Sequence, residues 1–120
     1  MTNGTPANTP EARAAAILRA VRAVKRGSFT SYGEIARRAG LPGRARLVGQ
    51  VLRESSDVKR LPWHRVTGAG GRIAFPVGSV NARKQLRLLA SEGVKTRGHR
   101  ALTPRAPGAR KSLDALLWKI

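Results

Sequence analysis

Apolar side chains recur every three to four residues in several stretches of the chain, and this spacing predicts helices. The first begins at Thr9-Pro10-Glu11, which supplies an N-cap, a proline for the first turn and an acid near the positive end of the helix dipole; it ends before Gly27. The last main helix is predicted over residues 80–92, with Gly93 ending it. Its predicted inward-facing positions are Leu86, Leu89 and Ala90.

Two short helices separated by a turn are predicted in the middle of the chain. Residues 31–34, Ser-Tyr-Gly-Glu, fit a capping box, in which the hydroxyl accepts from the third-residue amide and the carboxylate reaches back. The box begins a helix over residues 32–39, residues 41–43 form a tight turn, and a second helix covers residues 44–54. This arrangement is typical of a helix-turn-helix.

The second of these helices has two chemically different faces. One face carries an apolar stripe, made by Leu47, Val48, Val51 and Leu52. The opposite face carries Arg46, Gln50 and Arg53, which are the side-chain types that a DNA recognition helix presents. An ordinary solvated polar face is the simpler interpretation of the same pattern.

The remaining segments complete a prediction of an α+β, mainly helical, winged helix-turn-helix-like domain. Residues 55–63 form a loop, and short runs at 64–66 and 72–74 flank a glycine-rich segment, which predicts a small β-hairpin. We divide the chain into a loose N-terminus over residues 1–8, one domain over residues 9–93 and a basic tail over residues 94–120. Prolines oppose regular structure in the middle of the tail, and residues 112–118 could form a last helical turn or two.

Charge changes this picture from a scaffold to a binding protein. The chain has 24 Lys and Arg against six Asp and Glu, a net charge of +18, which favours a polyanionic partner such as nucleic acid. No segment approaches the about 20 apolar residues of a membrane span, and the start of the chain lacks the apolar region of a signal peptide. We therefore expect a cytoplasmic protein without a membrane partner, nucleoid-associated when bound to DNA, and acting as a monomer.

Catalytic and metal-binding patterns are lacking. The chain has no cysteine, no Gly-x-Ser-x-Gly and no Ser-x-x-Lys, and its glycine-rich segment does not precede a helix as a phosphate-binding loop would. His64 and His99, with six scattered acids, show no metal-ligand spacing. We therefore expect no cofactor and no metal, and the residues alone predict a basic binding domain.

Residues 62–66, Pro-Trp-His-Arg-Val, resemble the Pro-Cys-His-Arg-Val active site of the O6-alkylguanine-DNA alkyltransferases, with Trp63 in the place of the cysteine. Residues 31–36 (Ser-Tyr-Gly-Glu-Ile-Ala), residues 45–49 (Ala-Arg-Leu-Val-Gly) and Glu92-Gly93 follow the same family in order and spacing. The resemblance covers roughly residues 10–93. The change from cysteine to tryptophan is similar to that of the alkyltransferase-like proteins.

The resemblance implies binding without chemistry. The repair enzymes transfer the alkyl group to a cysteine thiolate, and an indole offers no comparable nucleophile. The implied protein is therefore not an enzyme. It is a damage sensor that binds the minor groove of duplex DNA containing O6-alkylguanine and rotates the alkylated nucleotide out of the helix. It also bends the DNA and flags the lesion for nucleotide excision repair proteins.

The resemblance also implies roles for individual residues. Arg46 corresponds to the arginine finger that fills the gap in the base stack, and Tyr32 lies beside the phosphate of the rotated nucleotide. Gln50 and Arg53 complete the DNA-binding set. The expected lesion pocket consists of Trp63, Tyr32, Val58, Arg72, Phe75 and Ser79. The structural remnant of the active site consists of His64, Arg65, Glu92 and Ser55, where His64 and Glu92 are expected to form a hydrogen bond. Ser55 stands where the enzymes usually have asparagine.

Two other functions stay open at this stage. A sequence-specific helix-turn-helix regulator would use the same face of Arg46, Gln50 and Arg53, but it would prefer one DNA sequence whether or not the DNA is alkylated. An enzyme with a nucleophile other than cysteine is disfavoured by the missing motifs.

Overall fold

Four helices form where the sequence predicts them: α1 (Pro10–Arg22), α2 (Tyr32–Arg38), α3 (Ala45–Glu54) and α4 (Val80–Ser91). The structure is a computed structural model that describes residues 8–103. The predictions for residues 1–7 and for the tail beyond residue 103, including its last helical turn, lie outside the described residues.

Side-chain caps fix the starts of three helices, namely α1, α2 and α4, the last of which is capped by Ser79. Thr9 Oγ1 accepts a hydrogen bond from the amide of Ala12 at 3.1 Å and begins α1, as predicted. Ser31 Oγ accepts from the amide of Glu34 at 3.0 Å and begins α2. Only this half of the predicted capping box forms, because the Glu34 carboxylate turns to two cations on its own helix, Arg37 and Arg38.

The three helices α1, α2 and α3 pack around one apolar core. α2 and α3 form the predicted helix-turn-helix, and the residues with no exposed surface include Ile17, Val21, Ile35 and Val48. Because Val48 and Leu52 anchor the apolar stripe of α3 in this core, the opposite face of the helix is left at the surface. No helix within residues 8–103 is long and apolar enough to cross a membrane.

The glycine-rich segment is not the turn of a hairpin, and this part of the prediction is wrong. Strand β1 (Thr30–Ser31) pairs in parallel with β2 (Val66–Thr67). The strand before the glycines is therefore paired with a segment far away in the sequence and not with the segment after the glycines. Residues Ala69–Gly71 form a 3-10 turn, closed by the amide of Gly68 donating to the carbonyl of Arg72 at 2.7 Å.

An antiparallel hairpin does exist, but it lies further along the chain. Strands β3 (Thr96–Arg97) and β4 (Arg100–Ala101) pair with each other, and an isolated bridge joins Arg72 to Arg100. The hairpin packs on the backbone at Gly71, where φ is +84° and a Cβ would overlap the carbonyl oxygen of Ala101. Only glycine fits this close approach.

A second apolar cluster holds α4 and the hairpin together. Its buried residues are Ile73, Ala82, Leu89, Val94 and Ala101. On α4 the predicted inward position Ala90 is exposed, and Gln85 is buried instead. Residues 94–101 therefore pack on the domain; the division of the chain at Gly93 stays a prediction.

Candidate nucleic-acid interface

An open groove of about 1100 Å³ runs along the exposed face of α3. Its other walls come from the 3-10 turns at Val58–Arg60 and Trp63–Arg65, from residues 74–75 and from the first turns of α4. Seven of the predicted site residues line it: Tyr32, Arg46, Gln50, Arg53, Val58, Trp63 and Phe75. The sequence did not predict seven others: Ala45, Gly49, Leu52, Lys59, Ala74, Asn81 and Lys84.

Aromatic rings form the apolar wall of the groove. Trp63, at the start of its 3-10 turn, lies edge-to-face with Phe75, with ring centroids 5.9 Å apart and an interplanar angle of 90°. It makes a second perpendicular contact with His64, at 6.2 Å and 88°. Such contacts restrict the orientation of the indole while leaving it in the lining of the groove. The wall offers a flat apolar surface on which a base could pack.

Cations line the same groove as the aromatic rings. Arg46 and Arg53 on α3, Lys59 in the loop and Lys84 on α4 are all exposed and line the groove. Tyr32 at the start of α2 lies among them, half-buried; burial raises the pKa of its phenol, partly opposed by the charge of Arg53. The tyrosine is therefore a neutral hydroxyl at physiological pH, able to donate a hydrogen bond to a phosphate oxygen.

The polar face of α3 is partly engaged within the helix. The amide of Gln50 donates to the carboxylate of Glu54 at 3.2 Å, across one helical turn. Arg46 stands one turn before Gln50, and Gly49 between them also lines the groove. Arg46 is therefore well placed on α3 to reach out of the groove.

His64, Arg65 and Glu92 form a hydrogen-bonded cluster beneath Trp63. Glu92 Oε2 accepts from Arg65 Nη2 at 2.8 Å and lies 2.8 Å from His64 Nε2. Glu92 Oε1 accepts from Arg65 Nε at 2.9 Å and from the amide of Gly27 at 3.2 Å. Arg65 Nη1 also donates to the carbonyl of Val24 at 2.9 Å. The cluster thus joins the turn that carries Trp63 to the ends of α1 and α4.

The same contacts fix the charge of Glu92. The hydrogen bonds from Arg65 lower the pKa of this carboxyl to about 2, helped by His64 and the amide of Gly27 and opposed by burial. The side chain is only 5% exposed. Because each oxygen accepts hydrogen bonds from two partners, the carboxylate stays ionised and joins the segments that carry those partners.

Gln85 is a site residue that the sequence analysis missed. Its side chain is buried on α4, and Nε2 donates to the carbonyls of His64 at 3.0 Å and Val66 at 2.9 Å. These bonds fix the backbone of the segment that directly follows Trp63. The signal was present, because Gln85 falls between Ala82 and Leu89 in the inward stripe of α4, where a polar residue needs a buried partner.

Three predicted residues take other places. Ser79 caps α4, with Oγ accepting from the amide of Ala82 at 3.2 Å, and does not line the groove. Arg72 is outside the groove lining as well, because the 3-10 turn directs it to the bridge with Arg100. Ser55 Oγ accepts from the amide of Asp57 at 3.3 Å, within the loop after α3. Across residues 8–103, no three His, Asp or Glu side chains cluster as metal ligands would.

A helix-turn-helix whose second helix borders a basic groove with an aromatic wall defines a DNA-binding domain. Residues 12–94 match the family model described as 6-O-methylguanine DNA methyltransferase, DNA binding domain, and the chain belongs to this family. Trp63, in the groove wall, stands at the position where the related enzymes have their cysteine, and the whole chain contains no cysteine.

Two relatives and one solved structure show what the chain is similar to. A DNA base-flipping protein of Escherichia coli is 38% identical over 78 residues, which cover 65% of this chain and 59% of that protein. Alkyltransferase-like protein 1 of Schizosaccharomyces pombe is 38% identical over 76 residues, 63% of this chain and 70% of that protein. The crystal structure of the latter, Atl1, with damaged DNA containing O6-carboxymethylguanine aligns with a TM-score of 0.68 at 32% identity, covering 78% of this chain and 90% of that one.

Proposed function

We propose that this protein is a non-enzymatic sensor of O6-alkylguanine in duplex DNA. The recognition helix α3 enters the minor groove, Arg46 occupies the gap left in the base stack, and the alkylated nucleotide rotates into the groove beside Trp63. The observation that carries the proposal is the position of Trp63, in a chain without cysteine, in the lining of a groove that four cations also line.

Each wall of the groove suits one part of a rotated nucleotide. The perpendicular pair of Trp63 and Phe75 offers surface to an uncharged base and its alkyl group. Tyr32, Arg53 and Lys59 suit its phosphate. Rotation costs a few kcal/mol and costs less where alkylation has weakened the base pair, so the lesion is selected both by the groove and by the DNA.

We propose that no alkyl group is transferred. The chain has no cysteine, so no thiolate is available to accept the group, and Trp63 stands in the corresponding position. Intact-mass spectrometry after incubation with DNA containing O6-methylguanine should show an unchanged protein. A stoichiometric mass gain of one methyl group would overturn this part of the proposal.

Competition binding with otherwise identical duplexes tests the function. A fluorescent duplex containing O6-methylguanine is displaced by unlabelled duplexes with guanine or O6-methylguanine at the same position, in at least two sequence contexts. The proposal expects the modified duplex to compete better in each context. A strong preference for one sequence, regardless of alkylation, would instead identify a helix-turn-helix regulator.

Arg46→Ala tests the arginine finger. The variant should lose lesion binding much more than Arg19→Ala, which removes the same charge from the exposed side of α1 outside the groove. Equal losses would mean that diffuse electrostatic attraction carries the binding.

We further propose that the protein acts as a monomer in the cytoplasm, associated with the nucleoid, and that nucleotide excision repair proteins receive the bound lesion. Reconstituted excision repair of an O6-alkylguanine duplex should be faster with the protein than without it. An unchanged or slower incision rate would remove the hand-over from the proposal while leaving lesion binding in place.

A further inference from the structure

Three arginines stand side by side on the small sheet at the end of the domain. Arg97 on β3 is paired with Arg100 on β4, and Arg100 is bridged on its other side by Arg72. Directly opposed residues of antiparallel strands project from the same face of a sheet. Arg72, Arg97 and Arg100, here called the arginine row, therefore share one face, and all three are exposed.

The arrangement is unfavourable for the free protein. Like charges directly opposite each other destabilise a sheet. Within residues 8–103, no carboxylate lies within 4.0 Å of any member of the row; the ion pairs found there involve Glu34 and Glu92 only. Lys95, just before β3, adds a further exposed cation.

The hairpin that carries the row is firmly anchored. Val94 and Ala101 are buried in the second apolar cluster, and the hairpin rests on the backbone of Gly71. The amide of Ile73 donates to the carbonyl of His99 at 3.0 Å, and that of Leu102 to the carbonyl of Lys95 at 2.8 Å. The packing of the hairpin therefore holds the three arginines close together in spite of their repulsion, as expected of a surface that binds a ligand.

The hairpin turn also lies next to the groove. His99 Nε2 is 2.5 Å from the carbonyl oxygen of Phe75, and the Phe75 ring forms part of the apolar wall with Trp63. One residue thus separates Arg100 from a direct contact with the groove wall. The row and the groove are therefore carried by neighbouring parts of the fold, so one duplex bound in the groove has the row close to it.

We propose that the arginine row is a second DNA contact, which binds phosphates of the duplex beside the lesion site. Guanidinium groups fork onto phosphate oxygens, and a row of three suits the regular charge of a DNA backbone. This contact carries no base specificity and adds affinity to lesion and undamaged DNA alike. The inference rests on the proposed DNA binding, but not on the preference for alkylated guanine.

The test compares a row variant, R72Q/R97Q/R100Q, with a control variant, R19Q/R83Q/R87Q. Both lose three exposed arginines and the same net charge, and the control residues lie on α1 and α4 outside the groove lining. Affinity for unmodified and O6-methylguanine duplexes is measured over a range of salt concentrations. Each lost phosphate contact lowers the slope of log affinity against log salt by about 0.9, so the row variant should lose up to roughly 2.7.

The control variant should lose clearly less of this slope, and the row variant should keep the lesion preference of the wild type. Equal slopes for the two triple variants would overturn the inference. Weaker binding of the row variant to polyglutamate, with its DNA slope unchanged, would overturn it in favour of an acidic protein partner. If the wild type shows no lesion preference, the sensor proposal fails, while the slopes on unmodified duplex still decide the role of the row.

Folding is checked by thermal unfolding. Since like-charge repulsion is removed, the row variant should melt at or above the wild-type temperature; a lower value would contradict the proposed repulsion. Should the triple variant not fold, R100Q alone removes the central member of the row. It is then expected to lower the salt slope by about 0.9, and an unchanged slope refutes the contact.

Discussion

Replacing Glu92 by glutamine is the sharpest test of the buried cluster beneath Trp63. The substitution keeps the size of the side chain and removes its charge. Arg65 would then lose the anion that accepts two of its hydrogen bonds, while its side chain stays 15% exposed. The amide nitrogen of the new glutamine would also face a donor, because both carboxylate oxygens accept hydrogen bonds in the native protein.

The expected cost follows from the pKa of Glu92. Its lowering from 4.5 to about 2 means that the folded protein favours the ionised carboxylate over the protonated acid by roughly 3 kcal/mol more than the unfolded chain does. Loss of one partner from a buried ion pair typically costs about 3–5 kcal/mol, which agrees in size. Small domains unfold with a free energy of about 5–15 kcal/mol, so E92Q should be severely destabilised.

The stabilisation by Glu92 should depend on pH in a defined direction. Because the pKa is lowered on folding, the contribution of Glu92 is complete above the unfolded value of 4.5 and disappears as the pH falls towards about 2. Urea unfolding of wild type and E92Q should therefore differ by roughly 3 kcal/mol at neutral pH, and the difference should shrink steadily below about pH 4.5. The lowered pKa of Glu34 acts in both proteins and cancels in the comparison.

Two outcomes would refute this reasoning. Stability curves that stay parallel from neutral to acidic pH would mean that Glu92 does not titrate with folding. A neutral-pH loss no larger than that of the control E34Q would mean that the buried cluster adds nothing beyond an exposed pair. The control removes a carboxylate that binds Arg37 and Arg38 on the surface of α2, where solvent screens the interaction.

Three further substitutions probe the groove and its supports. Gln85→Leu leaves two carbonyls beside the Trp63 turn without donors, and chemical denaturation should show a loss of about 1–3 kcal/mol, against a smaller loss for the same change at exposed Gln50. Gly71→Ala forces a Cβ into the carbonyl of Ala101 at a positive φ, so the melting temperature should fall markedly, whereas Gly70→Ala, with open space around it, should cost less. Trp63→Ala should weaken binding to O6-methylguanine duplexes by about 1–3 kcal/mol while leaving the affinity for unmodified DNA unchanged; equal weakening of both would remove Trp63 from the lesion pocket.

Local signals were read correctly from the sequence, because they depend on neighbours along the chain. The caps Thr9 and Ser31 each act on an amide three residues away, and the apolar stripe of α3 follows from helical spacing alone. The same local patterns, together with the family resemblance, led to the prediction of six residues for the lesion pocket. Four of these six line the groove in the structure.

Long-range partners were not predictable in the same way. A two-residue strand such as Val66–Thr67 carries no mark of its partner, and it pairs with Thr30–Ser31 instead of the segment just after the glycines. The backbone bridge between Arg72 and Arg100 is equally hard to predict, since Arg100 lies 28 residues further along, in a stretch of basic residues without an apolar pattern. Lys59 and Lys84 reach the groove from different elements, so no spacing in the sequence connects them.

The cluster of His64, Arg65 and Glu92 supports the groove through the turn that carries Trp63. The Glu92 carboxylate accepts four hydrogen bonds, and three of them come from His64 and Arg65 in the turn that begins at Trp63, so the carboxylate fixes that turn in place. Arg65 supplies two of those four bonds and ties the same turn to the carbonyl of Val24. The edge-to-face contacts of Trp63 depend on that turn. Lesion binding and fold stability should therefore fall together in E92Q, whereas W63A separates them by removing the aromatic surface and leaving the turn in place.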